Sequence, residues 1–253
     1  VAKPKIGYQN LLELSTSTIT VTDETSGFEK ALAYNWKTFD GWKPQSAGTV
    51  YYTVDLGSAM SVDYWASAKH TLGTNGGSIK LQYSSDNFSA DTNDFAAALS
   101  PSDDTVMFQT VSTAISARYW RWEITSTPVS FFAVLALGEA LELVRAVKSG
   151  FMLPHEARSN KVLDQKSEGG AFLGRSIINK GIKAMMRFDT LPLDFGRSDW
   201  SAFLDHAELK PFFFSWNPDY QDTVYAWLDR DPTPTAYDRI NTIRVGIRIR
   251  GLK

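Results

Sequence analysis

Residues 117–124 read ARYWRWEI. Two tryptophans, Trp120 and Trp122, alternate with Tyr119, Arg121 and Glu123. Successive side chains of a strand point to opposite faces, so Trp120, Trp122 and Ile124 share one face and Tyr119, Arg121 and Glu123 the other. Three uses fit such a pattern: a sugar-stacking platform, a nucleic-acid surface, or the inside of a sheet. Large aromatics anchor cores, and in a sandwich the apolar face turns inward. The stretch is therefore read as a strand with both tryptophans in the core.

The same period of two runs on either side of it. STITVT (17–22), TVYYTVDLG (49–57), SIKLQYS (78–84) and VMFQTV (106–111) all alternate, and FFAVLALGEALELV (131–144) follows the tryptophan strand. Polar loops separate them at 35–48, 70–78 and 84–95. Short alternating runs at this spacing predict an antiparallel sandwich or barrel. Beyond residue 145 the pattern changes. GRSIINKGIKAMMRF (174–188) puts Ile178, Ile182, Ala184, Met186 and Phe188 on one face, with Lys180 as a break. SDWSAFLDHAEL (198–209) reads as a helix: Ser198 is placed to cap it, and Trp200, Phe203, Leu204 and Ala207 fall at helical spacing. Pro211 ends it. FFFSW (212–216) is a buried strand, NPD (217–219) a turn, TVYAWL (223–228) the hairpin partner and DRDPTPT (229–235) a loop. INTIRVGIRIRG (240–251) is a last strand with Val245, Ile247 and Ile249 inward and Arg244, Arg248 and Arg250 outward.

A chain of 253 residues holds one large β domain or two ordinary ones. Residues 1–145 carry 10 Lys/Arg against 15 Asp/Glu and residues 146–253 carry 16 against 13, which supports a boundary near 145. The net charge of −2 gives no general pull toward nucleic acid or anionic membrane. With no cysteine there is no disulfide, no thiolate catalysis and no cysteine-ligated zinc. The start, VAKPKIGYQN, lacks the apolar core of a signal peptide. The most apolar run, 131–144, is interrupted by Glu139 and Glu142 and is too short for a membrane helix, so a soluble chain is expected.

No catalytic pattern emerges. His70, His155 and His206 are far apart in sequence, no G-x-S-x-G elbow occurs, and GTNGG (73–77) lacks the residues of a phosphate loop. The expectation is a protein that is not an enzyme. A calcium ion held by loop carbonyls leaves no residue signature, so no metal or cofactor is predicted. NWKTFDGWKP (35–44) is more suggestive, because Trp36, Phe39 and Trp42 crowd a polar, glycine-containing segment. Such rings stack on sugars, anchor a protein partner, or plug one open end of a sandwich. The stripe Arg244, Arg248, Arg250 suits either a solvated face or a protein–protein contact; no aromatics alternate with it, so no specific nucleic-acid binding is expected.

The ordered motifs of the first half resemble the discoidin-like (coagulation-factor type C, carbohydrate-binding) β-sandwich. They are Asp40–Gly41–Trp42, Asp55–Leu56–Gly57, Tyr83 to Asn87, Ala117 to Trp122 and Gly138 to Leu143. Ligands of that family usually sit at loops on one end. The resemblance thus implies loops 35–48 and 70–78 as the binding end, with Trp36, Phe39, Trp42, His70 and Asn75 as glycan- or partner-binding candidates. The disulfide of many secreted members is absent.

The second half, from GFMLPHEARS (150–159) through KPFFFSWNPDY (210–220) to VYAWL (224–228), resembles distal-tail and tail-tip proteins of long-tailed bacteriophages. That resemblance implies a small β-barrel with one packed helix, copies of which form a ring between tail tube and baseplate hub. Taken together, the expected architecture is mainly β: a jelly-roll sandwich over 1–145 and a β-barrel with one packed α-helix over 146–253. The expected role is a structural part of the virion tail tip, assembled in the host cytoplasm. Its expected partners are its own copies through Arg244, Arg248 and Arg250, tail tube and hub proteins, and host-surface polysaccharide. The alternative is a carbohydrate-binding module of a bacterial protein with an accessory β domain.

Overall fold

The structure is a computed structural model and describes residues 3–218, 222–232, 234–236 and 241–252. The strands in chain order are β1 (Lys5–Gly7), β2 (Thr18–Val21), β3 (Gly48–His70), β4 (Ser78–Ser84), β5 (Asn93–Asp94), β6 (Met107–Ser126), β7 (Phe132–Gly138) and β8 (Leu141–Glu142). They continue with β9 (Lys161–Lys166), β10 (Phe172–Asn179), β11 (Ile182–Pro192), β12 (Phe212–Ser215), β13 (Thr223–Arg230), β14 (Thr235–Ala236) and β15 (Thr242–Leu252). Helices α1 (Leu193–Arg197) and α2 (Asp199–Ala207) lie between β11 and β12. The chain is mainly β, as its sequence pattern implies. Among the described residues no helix is long and apolar enough to cross a membrane. Contacts divide the chain into two compact units, 6–141 and a second made of 142–253 with the N-terminal residues through Lys5.

In the first unit the strand order is β2-β3-β6-β4-β5, and β7 pairs with β3. The runs at 106–111 and 118–125 are two parts of one long strand, β6, antiparallel to β3. A register shift between Asp55 and Met60 lies where Gly57 takes φ 79, and it bends β3. The half of β3 before the bend pairs with β2; the half after it pairs with β7. One strand thus serves both layers of a sandwich.

Rings tie the layers together. Trp120 and Trp122 are fully buried, as the alternation predicts. Trp122 meets Tyr52 across the ladder at 5.7 Å, Tyr52 meets Trp42 at 5.2 Å, and Trp42 stacks on Phe132 of β7 at 6.1 Å. Tyr119, Arg121 and Glu123 face outward.

In the second unit β11, β15, β13 and β12 pair in that order, all antiparallel. Ile182, Ala184, Met186 and Phe188 of β11 and Val245, Ile247 and Ile249 of β15 point inward and are buried. Helix α2 adds Trp200, Phe203 and Ala207, with Phe203 edge-on to Phe212 at 4.9 Å.

Two sequence expectations change here. The run 174–188 is two strands separated at Lys180–Gly181, not one, because Gly181 turns the chain from β10 into β11. Ile178 therefore belongs to β10 and is 59% exposed, outside the core. Ser198 does not cap α2: helix α1 ends against it, and its hydroxyl donates to the Asp194 carbonyl at 2.9 Å instead of accepting from α2. The expected turn at 217–219 runs out of the described residues at Asp219, and Thr233 of the 229–235 loop also lies outside them.

The two faces of β6 differ in what their loss would cost. Trp122→Ala empties a closed ring column and should lower unfolding free energy by about 3–5 kcal/mol. Tyr119→Ala on the outward face should cost under about 1 kcal/mol. Urea denaturation of both variants checks this; equal losses would refute the inward assignment.

Candidate functional site

One end of the sandwich gathers its loops. Gly48 of β3 faces Ser126 of β6, and Ser78 of β4 faces Thr125, so these three strands share that end. The bend returns β3 to the same end, where His70 faces Phe132 at the start of β7. Gly77 shows how close these pieces are: a Cβ there would sit 2.4 Å from Leu72 and 2.8 Å from Ser126. Segments 22–47, 71–77, 100–106 and 127–131 converge at this end.

The 35–42 loop is anchored by its last tryptophan. Trp42 donates its N–H to the Phe132 carbonyl and accepts from the Phe132 N–H, both at 2.9 Å, and its indole N–H donates to the Asp23 carbonyl at 3.3 Å. Gly41 lies so close to β7 that a Cβ would be 2.3 Å from the Phe132 carbonyl oxygen; only glycine fits. Within the loop, the Asn35 side chain accepts from the Lys37 N–H at 2.8 Å and donates to Asp40 at 3.1 Å. Trp36 takes φ 63 and turns its ring inside. The result is a fastened crest with Phe39 at its top, 81% exposed, and the Lys37 ammonium 5.7 Å above its ring.

The 71–77 loop is pinned just as firmly. The Leu72 N–H donates to His70 Nδ1 at 3.2 Å, so the ring proton sits on Nε2 and donates to the Thr105 carbonyl at 2.8 Å. Burial pushes the His70 imidazole below its usual pKa, against the opposing pull of the Thr105 bond and the Asp104 carboxylate 3.9 Å away. Thr74 bonds Asp104 through both its N–H, at 2.9 Å, and its hydroxyl. Asn75 donates from Nδ2 to the Val129 carbonyl at 3.0 Å and to the Ser130 hydroxyl at 3.2 Å.

The structure sorts the sequence candidates. Trp42 is fully buried, Trp36 is 5% exposed and the His70 side chain is enclosed. These three build the loops and present no ring to a ligand, a correction to the sequence reading. An aromatic in a polar loop is as useful for closing the end of a sandwich as for binding. Phe39 and half-buried Asn75 remain at the surface. Two further rings at this end, Phe28 and Phe131, meet edge-to-face at 6.0 Å, with Phe28 38% exposed. Sequence reasoning missed them, since nothing local distinguishes them from other loop residues. Among the described residues no group of three or more His, Cys, Asp or Glu side chains could hold a metal ion.

In the second unit, Arg244 donates to Asp189 at 2.7 Å, and Lys148 shares that carboxylate at 2.8 Å. Arg250 bonds Asp229, which Lys183 also reaches at 3.2 Å. Lys148 first, then Arg244, hold the Asp189 carboxyl below its ordinary range; Lys183 and Arg250 do the same for Asp229. Two of the three arginines expected at an interface are thus engaged within their own sheet. Arg248 stands between them, opposite Met185.

No protein-family model matches the sequence, and no curated protein matches it. Solved structures similar to it include carbohydrate-binding modules of bacterial glycoside hydrolases. Chitosan-binding module 1 of a chitosanase/glucanase from Paenibacillus sp. IK-5 is 20% identical, with a TM-score of 0.43 over 52% of this chain and 99% of that one. The family 32 carbohydrate-binding module of Clostridium perfringens NanJ, solved with galactose, is 17% identical, with a TM-score of 0.42 over 53% of this chain and 98% of that one. A Ruminococcus gnavus GH29 fucosidase is 11% identical, with a TM-score of 0.45 over 53% of this chain and 27% of that one.

The loop pin carries a pH signature. Unfolded His70 takes its proton near pH 6.5, but the folded ring resists it, so the unfolded state binds more protons below that pH. The stabilisation is complete above about pH 6.5 and is lost as pH falls toward the lower folded pKa. Melting temperatures between about pH 7 and 5 should fall for the native chain and fall less for His70→Gln. Parallel curves would contradict the resistance of the folded His70 ring to protonation.

Proposed function

We propose that the 6–141 unit is a non-catalytic sugar-binding module whose contact residue is Phe39. The observation that carries this is a single large ring, 81% exposed, on a loop whose neighbouring tryptophans are locked inside. A pyranose has one apolar C–H face edged by hydroxyls. The one strongly exposed ring of this loop, beside a lysine ammonium, matches that shape. The fastened loop leaves little to order on binding, which favours affinity. In the discoidin-like family that the sequence resembles, ligands usually sit at loops of this kind. Phe39→Ala should weaken glycan binding by about tenfold or more, a loss of at least about 1.4 kcal/mol, without changing melting temperature. A glycan array followed by calorimetric titration of the full chain tests this; undiminished binding by the variant would end the assignment. Trp36→Ala should instead lower the melting temperature.

A second reading concerns assembly, and the hairpin β9–β10 favours it. Its two strands pair with each other, and Val162, Leu163, Phe172, Leu173, Ile177 and Ile178 are 39–65% exposed. An isolated two-stranded hairpin is marginal in water, and apolar side chains on open strands invite a partner. We propose that a second copy of this chain covers it, in a head-to-tail contact that closes into a ring. This is the arrangement the distal-tail resemblance implies, with tail tube and hub as further partners in a virion. Light scattering across a concentration series should give a homo-oligomer for the native chain and a monomer after Phe172, Leu173 and Ile177 are changed to serine. A native chain that stays monomeric at every concentration would remove this reading.

A further inference from the structure

The outward face of the sandwich sheet carries a second site, apart from the loops. Its centre is Arg121, the residue between the two core tryptophans. Two rings lie against its guanidinium: the Tyr51 centroid is 4.5 Å from Cζ and the Phe88 centroid 4.1 Å. Its Nε–H donates to Gln82 Oε1 at 2.8 Å. Gln82 is itself 4% exposed and is fixed in turn by donating to Asp94 at 2.8 Å. The two terminal amino groups of Arg121 have no hydrogen-bond partner among the described residues.

Phe88 is placed there at a cost. Asn87 and Phe88 both take left-handed backbone, φ 59 and 61, which non-glycine residues seldom adopt. A web of bonds holds them. The Ser84 hydroxyl donates to Asp86 at 2.8 Å and accepts from the Phe88 N–H at 2.9 Å. Asp86 also accepts from the Ser89 N–H at 3.1 Å and the Ala90 N–H at 2.8 Å. Strain that the surroundings over-determine is characteristic of ligand clamps.

Charge selects the ligand. Around Arg121 the other cations already have carboxylates: Arg118 holds Asp55 at 2.7 Å, and Lys80 reaches Asp94 at 3.3 Å and Glu123 at 3.6 Å. Among the described residues no carboxylate pairs directly with Arg121; Asp94, already held by Gln82 and Lys80, acts on it only through space. The residue beside it on β3 is Thr53, a short side chain. A planar fork packed against two rings and with its terminal donors unused suits a planar carboxylate held by two parallel bonds. We propose that Arg121 binds the carboxylate of an acidic sugar, a uronate unit of a polysaccharide, independently of Phe39.

The test titrates the full chain with an oligogalacturonate, its methyl ester and a sulfated oligosaccharide of similar length. Binding of the free acid should weaken about tenfold or more on esterification. It should weaken equally in Arg121→Lys, which keeps the charge but not the fork, and should persist in Phe39→Ala. Because altering a stacked arginine can disturb the sheet, phenylglyoxal labelling of the native chain gives a second readout. The acid should protect Arg121 from modification, as read by peptide mass spectrometry, and the ester should not. No binding of the acid, equal binding of the ester, tighter Arg121-dependent binding of the sulfated sugar, or loss in Phe39→Ala would each overturn the proposal.

Discussion

A column of four rings, Trp122–Tyr52–Trp42–Phe132, is the constraint on which the sandwich unit depends. Two belong to one layer and one to the other, and Trp42 comes from a loop. The loop is therefore part of the core. Aromatic burial that stabilises the fold also fixes the loop backbone, through the paired Trp42 and Phe132 peptide groups. The exposure of Phe39 is a consequence: with Trp36 and Trp42 drawn inside and Asn35 bracing Asp40, the segment between them has nowhere else to go.

The polar groups at the loop end follow the same logic. His70 is enclosed, yet both ring nitrogens are used. Asn75 bridges to Val129 and Ser130, and Asp104 takes two bonds from Thr74. A buried polar group is tolerated when its bonds are made. Apart from the local Leu72–His70 bond, each of these also joins one loop to the next and so fastens the loops of this end to one another. The Tyr52 phenol, pushed well above its ordinary pKa mainly by burial, stays neutral and donates to the Lys30 carbonyl beneath the same loop.

The second unit is organised by alternation on β11 and β15 and by the aromatic and small side chains that α2 inserts. Its outward cations are largely compensated by Asp189 and Asp229, each serving two bases. Exposed pairs of this kind add little stability. They do lower the free charge of the face, so the apolar β9–β10 hairpin is the feature of this unit that most calls for a partner.

Period-two alternation was enough to read most of the strands and the inward tryptophans, and helical spacing the helix at 199–207, because burial of one face is a local property of the chain. The same reading merged β10 with β11, since Ile178 continues an alternation that only the turn at Gly181 interrupts. It also could not tell which loop aromatics face water. Trp36, Phe39 and Trp42 are alike in sequence. Phe132, far beyond all of them in the chain, decides that Trp42 is core and leaves Phe39 outside. The outward position of Arg121 followed from the sequence, but its clamp did not, because Tyr51, Gln82 and Phe88 come from three separate segments. Composition and periodicity thus determined the class of fold and the faces of its strands, while contacts between distant segments, which no local pattern records, decided which side chains are left exposed.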